Sequence, residues 1–228
     1  MNDPLKYFFN VYGFLPASIK SIHSGSIYTL VILKNGQQAI CGNVTGMQAI
    51  KSKNIFPDFN NLSHRVILCA YYNAVLSPYY HTAPGDIFEN IDFSLFKNIT
   101  MIGYFRPLYQ KLLNIHIKPN VFDLEATDPE VLPLSEQKKY LQNSDAIIIT
   151  STTLANNTFS EIIANCPKPS HKFLLGPSGI LSPELKYMAG IKHIFSSTFS
   201  PSDKSVEQLV SSGFGAREIL KRGKKVML

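Results

Sequence analysis

The chain has 228 residues, of which 45% are hydrophobic and 17% charged, and a formal net charge of +6. This composition supports a buried core and excludes a largely disordered chain. The length suits one large domain or two small ones. Part of the positive charge lies in the final segment, residues 221–228, which we interpret as a solvated basic tail. No helix-turn-helix, zinc-finger or RNA-binding motif accompanies it, so we expect no nucleic-acid partner.

The cysteines and the apolar segments limit the cellular compartment. Cys41, Cys69 and Cys166 are far apart in sequence and form no C-x-x-C pair. This argues against a disulfide framework and a thiolate zinc site, and it indicates a reducing, cytoplasmic compartment. The first residues lack the pattern of a signal peptide, and no apolar stretch approaches the roughly 20 residues that span a bilayer. We therefore expect no membrane association.

The first part of the chain predicts a helix, a strand, a hairpin and two further helices, at residues 3–12, 18–24, 26–43, 45–53 and 63–76. Asp3 followed by Pro4 is typical of a helix start. Asn35-Gly36 between two β-rich runs is a strong hairpin signal. Ser63 is the expected cap of the last helix. We interpret residues 77–98, which are rich in Pro, Gly, Asp and aromatic side chains, as a connection between domains.

From Asn98 onward, apolar runs alternate with helical stretches. The predicted strands are residues 99–105, 120–125, 146–152, 172–177 and 193–198. The predicted helices are residues 107–113, 135–143, 158–165, 183–188 and 203–212. Continuous apolar strands between helices indicate a parallel sheet covered on both faces. The predicted fold class is α/β, with a Rossmann-like doubly wound sheet in residues 96–228 and a smaller α+β domain in residues 1–95.

Ligands of open parallel sheets bind outside the carboxyl ends of the strands, and the unusual polar residues of this half follow those ends. The stretch from Thr150 to Thr158 is dense in hydroxyls and amides and runs into a helix start, which favours an anion. A local alternative remains open: Thr158 with Glu161 is a capping box that only begins the helix. Glu125 ends a predicted strand and is either a ligand or structural.

Motifs of common reactions are missing or incomplete. Gly103 with Asp123 about 20 residues later resembles a nucleotide fingerprint, but the loop has one glycine instead of G-x-G-x-x-G. The chain has no P-loop, no G-x-S-x-G elbow and no H-E-x-x-H pair. A metal site would have to be assembled from distant residues such as Glu125, His81 and Cys69.

Several segments, taken in order, resemble a known prokaryotic family. They are SIYTLVIL, CAYYNAVLSP around Asn73, MIGYFRPL, SDAIIITSTTLANNT, LLGPSGILSP and MAGIKHIF. The family is named for heavy-metal chelation and combines an enolase-N-terminal-like domain with a Rossmann-like domain. The resemblance implies a cleft between the two domains that includes the Asn73 helix and the Gly176–Ser178 loop. Ser151 departs from the family pattern, where glycine is common.

The sequence and the resemblance together predict a small-molecule or metal-complex binding protein, and an enzymatic activity stays open. The expected partner is a small anionic ligand or a metal complex, the expected cofactor a metal ion or metal complex, and a homodimer is compatible. The alternative is a nucleotide-dependent enzyme of the dehydrogenase or methyltransferase kind. The predicted ligand-binding residues are Asn73, Gly103, Tyr104, Glu125, Thr150, Thr152, Thr153, Asn156, Thr158, Gly176, Pro177 and Ser178.

Overall fold

The computed structural model describes residues 2–50 and 52–228. The helices α1 to α9 span Pro4–Tyr12, Leu62–Leu76, Ile87–Asn90, Arg106–Asn114, Gln137–Gln142, Phe159–Asn165, Pro183–Ala189, Lys204–Ser211 and Ala216–Ile219. The strands β1 to β10 span Ile19–Ser24, Tyr28–Leu33, Gln38–Gly42, Ala83–Pro84, Ile99–Ile102, Asn120–Phe122, Ala146–Thr150, His171–Leu175, Ile191–Phe199 and Gly223–Met227. None of these helices is long and apolar enough to cross a membrane.

The larger sheet has seven strands in the order β4-β10-β9-β8-β7-β5-β6. The five strands β6, β5, β7, β8 and β9 are mutually parallel, and β10 and β4 extend the sheet in antiparallel pairing. Numbered by their appearance in the chain, the parallel strands follow the flavodoxin-like order 2-1-3-4-5. The order reverses between β5 and β7, so this is the switch point at which such sheets place ligands.

Apolar side chains cover both faces of this sheet, as the continuous apolar runs predict. One face, which includes Ile147, Ile149 and Leu174, packs against α2, α6 and α7. The other face, with Met101 and Ile148, packs against α4 and the turn that follows α3. The α/β fold class with a doubly wound parallel sheet is therefore confirmed.

The smaller sheet is the antiparallel meander β1-β2-β3, and it is buried between helices on both sides. Asn35-Gly36 forms the predicted hairpin turn, where Gly36 has a φ of +88°. Alternate residues of β2 point to opposite faces: Val31 packs in the α2 cluster, whereas Leu30 packs against α8 and α9. This double coverage explains why every residue of β2 is buried.

Several local predictions are wrong. The described residues of the range 45–53 form no helix; Lys51 lies outside the described residues. Helix α2 is capped by Asn61, whose side chain accepts from the backbone N–H of Ser63 and His64; Ser63 itself lies inside the helix. The strands β5 to β8 end two to three residues before the predicted limits. Glycines with a positive φ, Gly103 and Gly176, follow β5 and β8, and a 3-10 turn from Ser151 follows β7.

The basic segment at the end of the sequence is not a solvated tail. Residues 223–227 form β10, which pairs with β9 on one side and with β4 on the other. Its lysines face solvent while Val226 is buried in the core. The segment 77–98 contributes β4 to the same sheet and also forms α3. The boundary between residues 95 and 96 stays a prediction.

Candidate functional site

A cavity of about 700 Å³ lies at the switch point of the large sheet. Its walls come from the loops after β5, β6 and β7, and from the residues after β3, Asn43 to Thr45, on the opposite side. Eight of the predicted ligand-binding residues line it: Gly103, Tyr104, Glu125, Thr150, Thr152, Thr153, Asn156 and Thr158. The cavity therefore lies between the small sheet and the carboxyl ends of the parallel strands.

Gly103 lets the loops after β5 and β7 approach each other. Its φ is +91°, and a Cβ atom at this position would lie 2.7 Å from Cβ of Thr150. Its backbone N–H donates to the carbonyl of Phe122 over 2.7 Å. A side chain at residue 103 would strain the backbone and push the loop of Thr150 away, so the glycine serves close approach.

The Thr150–Thr158 loop is held by its own side chains. The hydroxyls of Thr150 and Thr152 lie 2.9 Å apart, and the Thr153 hydroxyl donates to the Thr150 carbonyl over 2.6 Å. Oδ1 of Asn156 accepts from both the backbone N–H and the hydroxyl of Thr158. The predicted capping box is therefore wrong: Thr158 precedes α6, but its hydroxyl bonds to Asn156 and does not cap the helix.

A buried arginine on α2 holds the same loop from behind. The Arg65 guanidinium donates to the carbonyls of Leu154 and Ala155 and forms a bidentate pair with Asp3, 2.6 Å at the shorter contact. Only 1% of Arg65 is exposed. Sequence reasoning missed this residue, since its ion-pair partner Asp3 is 62 positions away and its acceptors in the loop are 89 and 90 positions away.

The charged side chains that line the cavity are the carboxylates of Asp123, Glu125 and Glu161. Asp123 is fully engaged: its oxygens accept from the backbone N–H groups of Tyr104, Glu125 and Ala126. Glu125 accepts a hydrogen bond from the Thr45 hydroxyl, which joins the loops on the two sides of the cavity. Within the described lining no Lys, Arg or His side chain offsets these carboxylates.

Tyr104 contributes an aromatic wall with a protonated phenol. Burial, together with the nearby carboxylates of Glu130 and Asp128, raises the pKa of Tyr104 above its usual value. The Arg106 guanidinium lies 5.4 Å from the Tyr104 ring centroid and pairs with Asp128 at 2.6 Å. Arg106 is thus committed to a neighbouring loop and does not line the cavity.

The remaining predicted residues, Asn73 and Gly176 to Ser178, lie beside the cavity and do not line it. The Asn73 amide donates to the carbonyl of Pro177 over 3.3 Å, while its buried Oδ1 has no protein partner. The Ser178 hydroxyl accepts from the backbone N–H of Gly42 over 2.8 Å. These residues join α2 and β3 to the loop after β8, so they fix the two sheets against each other.

The buried thiols and the scattered histidines do not form a metal centre in the part of the chain that the structure describes. No group of three or more His, Cys, Asp or Glu side chains there is arranged to hold an ion. A hydrogen bond with Cys41 and burial raise the pKa of the Cys69 thiol well above its usual value. Both thiols are completely buried, and its raised pKa makes Cys69 a poor thiolate ligand.

Fold and cavity together define a doubly wound α/β protein with a polar switch-point cavity closed by a second, antiparallel sheet. The sequence profile of the DUF364 family, described as "Putative heavy-metal chelation", matches residues 86–228, and the chain belongs to this family. The resemblance stated from the sequence is thereby confirmed. No curated protein matches the chain.

Two solved structures of the same family share the fold. A protein of unknown function from Pyrococcus horikoshii superimposes with a TM-score of 0.77 at 20% identity, over 92% of each chain. A second protein of unknown function, from Desulfitobacterium hafniense DCB-2, superimposes with a TM-score of 0.73 at 14% identity, over 99% of each chain. At these identities the likeness supports the fold alone.

Proposed function

We propose that this protein binds a small metal complex that carries positive charge, and that it does so in the switch-point cavity. The observation that carries the proposal is a cavity of about 700 Å³ lined by threonine and asparagine oxygens and by three carboxylates. The family description, which names heavy-metal chelation, agrees with a ligand that contains a metal.

The size of the cavity and the arrangement of its donors favour a complex over a bare ion. Small-molecule sites enclose about 300–1,000 Å³, and this cavity falls in that range. A heavy-metal ion held by the protein alone needs several converging ligands within about 2.0–2.6 Å. The described residues form no such group. A metal that arrives with its own organic ligands needs only outer contacts, which hydroxyls, amides and carboxylates provide.

The charge of the lining favours a cation. Glu125 and Glu161 are exposed carboxylates, and no basic side chain of the described lining opposes them. An anionic ligand, which the helix start after Thr158 favours in the sequence, would meet these carboxylates and a helix of only seven residues. Like charges at short range in a partly enclosed site are unfavourable, so the cationic complex is the better-supported ligand.

The nucleotide-dependent enzyme has less support from the site. A dinucleotide site of this fold uses a free carboxylate at the end of the second strand to bind ribose hydroxyls. The equivalent carboxylate, Asp123, already accepts three backbone N–H groups. The loop after β5 also has the bulky side chains of Tyr104 and Phe105 where a pyrophosphate needs close backbone approach.

Native mass spectrometry of untagged protein, purified without chelator, tests the proposal, with metal content measured in parallel. We expect a mass excess larger than a metal ion, accompanied by a stoichiometric metal. In the double variant Glu125→Gln/Asn156→Ala both should fall at least tenfold, because this variant removes one charge of the lining and the amide oxygen that holds Thr158 at the cavity wall. An excess of organic mass without metal, or a ligand that is retained equally by the variant, would contradict the proposal.

A matched control separates binding from folding. Asn143 lies at the end of α5, away from the cavity, and its amide bonds only to the nearby carbonyl of Lys139. Together with the exposed Glu89 it gives the control Glu89→Gln/Asn143→Ala, with the same change of charge and composition. This control should retain the ligand as the unmodified protein does.

A further inference from the structure

A second cavity, of about 570 Å³, lies at the end of the large sheet where the parallel strands begin, opposite the switch-point cavity. It opens where β8 and β9 begin and is bordered by α7. His171, Lys186 and Lys192 line it, together with Ser170 and the backbone near Gly190. Because it is at the amino ends of the strands, it does not share a wall with the switch-point cavity.

Positive charge accumulates around this second cavity. No carboxylate within the described residues lies within ion-pair distance of Lys186, Lys192 or His171, whereas Lys111, Lys221 and Lys225 all have acidic partners. Behind the wall, the buried ammonium of Lys172 donates to the carbonyl of Ser170 over 3.2 Å. The Cε atom of Lys172 lies 3.5 Å from the position that a Cβ atom would take at Gly190.

The one carboxylate of α7 is held away from these lysines. Glu184 accepts from the hydroxyls of Tyr12 and Tyr80, at 2.6 and 3.2 Å, and from that of Ser182. These bonds tie it to α1 and to the turn after α2. Among the lining side chains that the structure describes none is acidic.

His193 lies near both lysines. Burial, reinforced by the ammonium groups of Lys186 and Lys192, lowers the pKa of His193 below its usual value. Its ring stacks parallel to Phe173 with 6.4 Å between the centroids, which fixes it beside the cavity. The imidazole is therefore a fixed probe of charge at this position.

From this geometry we infer that the second cavity binds a compact polyanion, of the polyphosphate or phosphate-ester class. Lysine ammonium groups bind phosphate oxygens as point charges. A compact anion with two or more charges would contact both Lys186 and Lys192, which line the same cavity. The volume suits a small molecule and is much larger than a single phosphate needs.

Isothermal titration calorimetry with pyrophosphate tests the inference. We expect binding that weakens as salt increases. The double variant Lys186→Gln/Lys192→Gln should lose at least about tenfold in affinity, the effect of losing a charge-assisted hydrogen bond. The control Lys138→Gln/Lys139→Gln on α5 removes the same net charge from exposed lysines and should stay within about twofold of the unmodified protein.

Histidine NMR locates the bound anion. Saturating pyrophosphate should raise the pKa of His193 in the unmodified protein and leave it unchanged in Lys186→Gln/Lys192→Gln. An equal loss of affinity in both double variants would show non-specific attraction to a basic protein and overturn the inference. Absence of heat and of a His193 shift at millimolar pyrophosphate would overturn it as well.

Discussion

At the residue scale, two arginine ion pairs have the same length but differ in how far they are buried. Arg65 pairs with Asp3 at 2.6 Å with 2% of its side chain exposed, and Arg106 pairs with Asp128 at 2.6 Å with 65% exposed. A buried charge without a partner is costly, whereas an exposed pair gains little over hydration. Burial therefore decides which pair matters, and the distance alone does not.

Replacing each arginine by methionine should show this difference. We expect Arg65→Met to lower the free energy of unfolding by about 3 kcal/mol, since it removes the cation that pairs with Asp3 and the donor of three backbone carbonyls. Arg106→Met should cost less than about 1 kcal/mol. Urea denaturation followed by circular dichroism measures both. Similar losses in the two variants would mean that Arg65 does not hold the Thr150–Thr158 loop.

At the element scale, the strands were predictable and their ends were not. The apolar runs of β5 and β7 identify buried parallel strands because they are only four and five residues long and alternate with predicted helices along the chain. The end of β5 depends on Gly103, whose positive φ turns the chain toward Thr150. That conformation follows from a contact between two strands, and an isolated segment carries no sign of it.

The role of Gly103 can be tested by comparison with Gly13, a second glycine that has a positive φ. Gly103→Ala should lower the free energy of unfolding by about 2 kcal/mol more than Gly13→Ala, because overpacking adds to backbone strain at residue 103. Gly13 has a φ of +67° and no atom within 4 Å of the Cβ it would gain. Denaturant titration of both variants checks this. Equal losses would show that strain alone explains the glycine.

Strand β10 was missed for a different reason. Its sequence, GKKVM, has one buried apolar residue among lysines, so periodicity indicates a polar tail. Pairing with β9 and β4 makes it a strand, and this pairing is non-local. The residues of the switch-point cavity were likewise predictable only in part. The strand-end rule identifies the loops after β5, β6 and β7, whereas the opposing residues Asn43 to Thr45 reach the cavity only through tertiary packing.

Substitutions in β10 distinguish a strand from a tail. Val226→Ala should lower the free energy of unfolding by about 1.5 kcal/mol, the value of two buried methylene equivalents. Lys224→Ala, on an exposed position of the same strand, should change it by less than about 0.5 kcal/mol. Thermal unfolding of the two proteins measures the difference, and an unchanged melting temperature in Val226→Ala would favour a tail.

At the scale of the whole molecule, one acidic residue links three elements. Asp86 caps α3 through the backbone N–H of Phe88 and pairs with Lys225 of β10 at 2.5 Å and with Lys111 of α4 at 3.9 Å. Burial raises the pKa of this carboxyl, but the hydrogen bonds from Lys225 and Phe88 outweigh it and leave the pKa below its usual value.

The lowered pKa of Asp86 predicts how the stability of the protein changes as the pH falls. The contribution of Asp86 is complete above the ordinary aspartate pKa of about 3.9 and is lost as pH falls through the lower folded-state value. We expect Asp86→Asn to be less stable than the unmodified protein at pH 7 and to lose less stability on acidification. Denaturation midpoints between pH 7 and pH 2 measure this. The exposed Glu89→Gln should behave as the unmodified protein, and parallel acid limbs for Asp86→Asn would contradict the assignment.

The placement of β4 matters most for what happens when the chain is cut. Ala83 and Pro84 precede every parallel strand in sequence, yet they cover the outer edge of β10, the last strand. Without these two residues the backbone groups of Val226 and Met227 would be bare. An uncovered edge is a template for another copy of itself. The two residues of β4 thus protect the edge of β10, and we expect their removal to create a surface at which two copies of the chain associate.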